Sequence, residues 1–233
     1  MVALLGSLFI GAMPPQDECM SQLRDILHTM SSRESMGICS LDYQVRSKPR
    51  QYNTPETILR VKMRASKNQM EVVSSQIEAY QDKENAFTLV PSRKIIYWGD
   101  SQLNKKDTAD RNDFLKLQSL ALDHSKIKSC KELRSGNYDK EIILSPDAGL
   151  RKKFGFKEIT FLINTKTNSV YRTLLSYTAG QFEYVEVTYL SLNYREKTGG
   201  LNYSVKSKFL TPQDKLLAKY SGYELIDVRA KRK

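Results

Sequence analysis

The chain has 233 residues, 40% of them hydrophobic and 27% charged, with a formal net charge of +11. These proportions are globular and exclude the polar, aromatic-poor composition of a disordered chain, and the length suffices for one full core. The excess of Lys and Arg does not mark a nucleic-acid groove: the cations fall on outward strand positions, as in Arg60, Lys62 and Arg64, or in turns such as Arg151 to Lys153. No C2H2 spacing and no RNA-binding aromatic signature occurs, so a solvated basic exterior is expected and no nucleic-acid partner.

In chain order, Val2 to Ala12 is an apolar run followed by Met13-Pro14-Pro15-Gln16. It is too short for the roughly 20 residues that cross a bilayer, and it fits the h-region of a secretory signal with Ala12 at the cleavage position. Residues 1–16 are therefore expected to be a signal peptide, 17–233 a single half-barrel domain, and the product a periplasmic protein with no transmembrane span. No Lys or Arg precedes the run and Ile10 is bulky two places before Ala12, which leaves an N-terminal core strand or helix as the alternative.

Asp17 to Met30 places Cys19, Leu23, Ile26, Leu27 and Met30 on one face of an amphipathic helix. The cysteines, at 19, 39 and 130, are odd in number. One disulfide, between Cys19 and Cys39, or buried thiols are the two readings.

Alternating apolar and polar residues then predict strands at Ile38 to Val45 and Thr57 to Met63, and a meander through Met70 to Val73, Ile77 to Tyr80, Phe87 to Val90 and Lys94 to Trp98. The separators are short and rich in turn formers, so neighbouring strands pair antiparallel. Asp113 to His124, with Phe114, Leu117, Leu120 and Ala121 at helical spacing, predicts a helix. Tyr138 to Leu144 is a strand, a short helical or turn segment follows Ser145-Pro146, and a second meander covers Phe156 to Ile163, Val170 to Thr178 and Phe182 to Tyr194. A strand as long as the last bends around something. Gly199-Gly200 precedes a predicted strand Asn202 to Phe209, a helical piece Pro212 to Tyr220 and a last strand Tyr223 to Val228. The fold class is mainly β with helices, an incomplete antiparallel barrel or curved sheet closed by helices.

Chemistry that would mark an enzyme is missing. His28 and His124 sit in helical segments outside any metal-ligand spacing, and there is no HExxH, GxSxG, Walker A or GxGxxG. Pairs such as Asp139 with Glu141, or Glu183 with Glu186, lie on polar strand faces beside lysines. No catalytic residue, metal or cofactor is expected.

What is abundant is apolar surface. Tyr43, Leu59, Val61, Met63, Met70, Val72, Phe87, Leu89, Phe161, Leu174, Phe182 and Tyr184 are expected to face one interior, with Ile77, Ile159 and Leu190, and with Phe114 and Leu117 on the mid-chain helix available to plug it. Ordinary core packing accounts for most of them; a half-open barrel would leave part as an apolar cavity for a hydrophobic ligand.

The order of elements, with MEVVSSQIEAYQDKENAFTLVPSRKIIYW as first meander and FKEITFLINTKTNSVYRTLLSYTAGQFEYVEVTYLSLNY as second, resembles the periplasmic lipoprotein-carrier (LolA-like) superfamily over residues 17 to 194. Within it, Ile77 to Tyr80, Phe87, Tyr97-Trp98 and the turn Lys166 to Ser169 carry the resemblance. The resemblance implies an incomplete barrel whose apolar cavity shields lipid or lipoprotein acyl chains, with Arg46 as the residue contacting the helical lid. The alternative is a ligand-free interaction or assembly subunit of an envelope complex, since a terminal edge strand can pair with a partner protein.

Overall fold

The computed structural model describes residues 16–35, 39–66, 68–101, 103, 120–193 and 201–229. The apolar run Val2 to Ala12, the proposed signal peptide apart from Gln16, the Gly199-Gly200 turn, and Phe114 and Leu117 with most of their helix lie outside these residues. Only the last turn of that helix is described: Leu120 to Asp123 is helical, and Ala121 and Leu122 are buried.

Among the described residues, twelve strands form one open, curved sheet. They are β1 (Cys39–Pro49), β2 (Thr57–Ala65), β3 (Met70–Ser74), β4 (Glu78–Gln81), β5 (Asn85–Val90), β6 (Ile95–Asp100), β7 (Ser125–Glu132), β8 (Lys140–Pro146), β9 (Phe156–Asn164), β10 (Ser169–Tyr177), β11 (Phe182–Asn193) and β12 (Glu224–Asp227). Their spatial order is β12-β6-β5-β4-β3-β2-β1-β11-β10-β9-β8-β7. The two meanders thus meet where β1 pairs with β11 along nearly its whole length, Ser40 opposite Asn193 and Lys48 opposite Tyr184. Besides the helix that ends at Asp123, the described residues hold α1 (Gln16–Ser35), α2 (Ala148–Phe154) and α3 (Val205–Phe209).

Two cores stabilise the sheet, and they lie on opposite faces. On what we call the first face, Cys19, Leu23, Ile26, Leu27 and Met30 of α1 cover Cys130, Ile142, Leu144, Ile159, Phe161 and Ile163 of β7 to β9. The apolar positions of α1 recur at three and four, and Asp17 and Glu18 complement the dipole in its first turn. On the second face, the C-terminal segment covers β4 to β6: Phe209 stacks on Phe87 at 4.7 Å and meets Tyr80 edge-on at 5.4 Å between centroids. Register proves the reversal. Phe161 is opposite Thr173, Thr173 opposite Val187, Val187 opposite Val45, Val45 opposite Leu59, and these share the first face; Phe87 pairs with Tyr80, which follows the first-face residue Ala79 and so points the other way.

Several expectations need correction. Asn202 to Phe209 is not a strand: Val205 and Phe209, four residues apart, bury one side of the helical turn α3, and the Asp82 carboxylate accepts the Val205 N–H at 2.8 Å. Pro212 to Tyr220 holds only a 3-10 turn at Ala218–Tyr220, after a tight loop closed by a bridge between Leu210 and Leu216. β12 joins β6 in parallel, the exception to an otherwise antiparallel sheet. The disulfide links Cys19 to Cys130, with Cα atoms 6.5 Å apart, whereas Cys39 is buried at the start of β1 outside that bond. β7 has no sequence expectation behind it, because a register shift between Ile127 and Ser129 breaks its alternation. The short α2 matches expectation: Asp147 caps it through the Leu150 N–H at 2.8 Å, and Gly155, with φ of 71°, ends it where a Cβ would meet the Ala179 carbonyl at 3.1 Å.

Candidate functional site: the two faces of the central strands

Between the two cores, β2, β1 and β11 present opposite chemistry on their two sides. On the first face, Tyr43 lies between Val61 and Tyr189, Val45 between Leu59 and Val187, and Leu41 between Met63 and Leu192; Met63 continues to Val72 and Ala65 to Met70 in β3. Val61 is buried; Tyr43, Val45, Leu59, Met63, Met70, Val72, Val185 and Val187 are half-buried, and none of these residues belongs to either core. The result is an apolar stripe next to the helix-covered core, where Tyr189 and Leu192 reach the packing around α1. The Tyr43 ring stands 6.3 Å from that of Tyr189, and burial pushes its phenol above the ordinary range.

The residues expected to share one interior divide among separate places. Tyr43, Leu59, Val61, Met63, Met70 and Val72 come together in the stripe. Phe161 is on the same face but farther across the sheet, in the core under α1, with Ile159. Phe87 and Leu89 lie on the second face beneath the C-terminal segment. Leu174 and Tyr184 also take the second face, by their register with Glu186 and Lys48. Phe182 is half-buried at the start of β11, while Ile77 is exposed in a turn and Leu190 at the register shift facing Asp42 and Tyr43. Sequence reasoning passed over Val45, Val185 and Val187, although the alternation of β1 and β11 carried the signal.

The second face of the same strands is charged. Arg46 Nη2 donates to Glu186 Oε1 at 2.9 Å and Arg172 Nη1 to Glu186 Oε2 at 3.3 Å, so two guanidiniums from flanking strands share one carboxylate. Arg60 grips Asp42 with Nε at 2.8 Å and Nη2 at 2.6 Å, which holds the Asp42 carboxyl below its usual range. Arg64 lies 3.6 Å from Glu71, and the Tyr184 hydroxyl donates to Glu56. Arg46, assigned a lid contact by resemblance, is thus held on the face opposite α1, with the Glu186 carboxylate raising its pKa further.

His28 is exposed on α1 and His124 Nδ1 lies 3.0 Å from Asp147 Oδ2. Among the described residues no group of His, Cys, Asp or Glu is placed to hold a metal, and no helix is long and apolar enough to cross a membrane.

No family model and no curated protein matches the chain. Solved structures similar to it include an uncharacterised conserved protein from Thermus thermophilus, at 7% identity and a TM-score of 0.45, covering 88% of this chain and 98% of that one. LprF from Mycobacterium bovis is similar at 11% identity and a TM-score of 0.42, over 81% of this chain and 98% of its own. A LolA superfamily protein from Nitrosomonas europaea is similar at 10% identity and a TM-score of 0.32, over 76% and 94%. LolA superfamily proteins are therefore among the solved structures that this chain resembles.

Proposed function

We propose that this protein is an exported, non-enzymatic binding protein that holds a hydrophobic ligand, a lipid or the acyl chains of a lipoprotein, against the first face of β1, β2, β3 and β11. The carrying observation is the stripe around Tyr43, Val45, Leu59, Val61 and Val187, continuous apolar surface that neither core absorbs. Covering it with acyl chain removes that area from water, at about 25 cal/mol per Å². The buried Cys19–Cys130 disulfide supports a periplasmic location, because such bonds persist in oxidising compartments.

The test is native mass spectrometry of protein purified without detergent, together with displacement of an apolar fluorescent dye. A co-purifying lipid and saturable dye binding are expected, with Val187→Asp weakening the dye about tenfold or more, since a carboxylate in the stripe must be desolvated by the ligand. Leu59→Gln, at the half-buried rim, serves as a milder second variant should the first fail to fold. Absence of both lipid and dye binding would remove the reading. A co-purifying protein in place of lipid would favour an assembly subunit, for which the outer edge of the terminal strand β12 is the supporting feature.

A further inference from the structure

We propose that Arg46 and Arg172, bridged by Glu186, form a site for a phosphate oxyanion on the second face, the side of the central strands away from the apolar stripe. The charge balance is the first ground. Glu186 is opposite Arg46 in the β1–β11 ladder, and Arg172, opposite Thr188, reaches the same carboxylate from β10, two residues along. Two positive groups therefore converge on the Glu186 carboxylate at a fixed place, and Glu56, which also acts on Arg46, accepts from the Tyr184 hydroxyl. One arginine would suffice to neutralise Glu186.

Unused donors are the second ground. Each guanidinium has five N–H bonds, and each gives one of them to Glu186. The Nε atoms of both Arg46 and Arg172 are buried without a hydrogen-bond partner among the described residues. A buried N–H without an acceptor is destabilising, and a rotation of each fork about its carboxylate bond would turn an Nε–Nη edge toward a shared ligand. The side chains of Arg46 and Arg172 remain 38% and 32% exposed while that of Glu186 is 11% exposed, so the carboxylate lies below and the cations above it.

Geometry selects the ligand class. Two forks approaching from strands on either side of β11 can each take oxygen atoms of a tetrahedral oxyanion, which offers more acceptor oxygens than the carboxylate of Glu186 they already share. The recognised chemistry is thus a phosphoryl group, presented either by inorganic phosphate or by a phospholipid headgroup. Nearby Arg60 is already committed to Asp42 through two hydrogen bonds, which makes it a matched control of the same charge.

The full chain is titrated with inorganic phosphate at constant ionic strength, followed by calorimetry and by amide shifts of β1, β10 and β11. In parallel it is mixed with vesicles of phosphatidylcholine alone and of phosphatidylcholine with phosphatidylglycerol. Arg172→Gln leaves a one-to-one Arg46–Glu186 pair and is expected to weaken the interaction about tenfold or more, whereas Arg60→Gln stays within about twofold. Arg46→Gln is the second variant should Arg172→Gln melt abnormally. Binding of inorganic phosphate alone assigns the free ion as the source, and binding of phosphatidylglycerol vesicles with the same variant ranking assigns the headgroup. The proposal is overturned if neither probe binds, or if Arg60→Gln loses as much as Arg172→Gln, because the attraction is then the diffuse field of a basic protein.

Discussion

At the scale of single residues, polar side chains set the turns that bring the second meander into register. Asp139 shows how: its carboxylate accepts the Thr165 N–H at 2.9 Å and the Thr165 hydroxyl at 2.6 Å, holding the β9–β10 turn against the start of β8. Burial pushes the Asp139 carboxyl up, but those bonds to Thr165, with Lys166 nearby, outweigh it and leave the pKa below the ordinary value. A depressed carboxyl contributes stability that is present above the unfolded pKa of about 3.9 and is lost as pH falls through the folded value. Asp139→Asn is expected to cost about 1 kcal/mol at neutral pH and nothing in strong acid, so its denaturation midpoint converges on that of the native chain as pH drops below about 4. Urea melts across that range check it; a pH-independent gap would place the loss elsewhere. The candidate site was legible at this scale only in part. Tyr43, Leu59 and Met63 could be read from alternation within one strand, but alternation does not say which face of the next strand is covered. That is why Phe87, Leu89, Leu174 and Tyr184 were grouped with residues that turn out to lie across the sheet from them.

At the scale of elements, α1 depends on long-range attachment. It has an apolar side of only a few residues, and it is fixed to the sheet by Cys130, by the Lys140 ammonium donating to Gln22 Oε1 at 2.7 Å and by the Asn168 amide donating to Thr29 at 3.3 Å. The Cys19–Cys130 bond spans 111 positions of sequence and ties the helix to the edge strand β7. Removing it through Cys19→Ser is expected to destabilise the protein by about 2–4 kcal/mol. The loss should fall on α1 and β7, read as faster hydrogen exchange there than in β4 to β6; equal acceleration everywhere would mean the helix is no separate unit. The amphipathic helix itself was plain in the sequence, and so were both meanders, because period and turn chemistry are local. The partner of Cys19 was not. Cys39 is nearer in sequence, but it sits at the start of β1, and β7 comes under α1 only after β8, β9 and β10 have been laid beside β11. The strand order that makes the bond possible is a property of the assembled sheet. The same holds for α3, whose alternating sequence reads as a strand until Asp82 and the aromatic layer of β5 and β6 select a helical turn.

At the scale of the molecule, the two cores on opposite faces make the sheet a beam supported at each end from a different side. The central strands β1, β2 and β11 join the halves through backbone ladders, while the side chains of their first face contribute to neither core beyond Tyr189 and Leu192. Such an arrangement leaves the middle free to carry function on both faces, and it predicts that the halves differ in stability. Phe209 is fully buried and lies at the centre of the C-terminal core, stacked on Phe87 and on Tyr220 and meeting Tyr80 edge-on. Phe209→Ala is expected to cost about 3–5 kcal/mol where the residue packs. With no side-chain layer shared between the cores, that cost should be felt as loss of amide protection in β4, β5, β6 and β12, while β8, β9 and β10 under α1 keep theirs. Hydrogen exchange of the variant reads this strand by strand. Uniform loss across the sheet would show that the ladders of β1, β2 and β11 couple the halves into one cooperative unit, and an apolar stripe positioned by such a unit would be as rigid as the cores on either side.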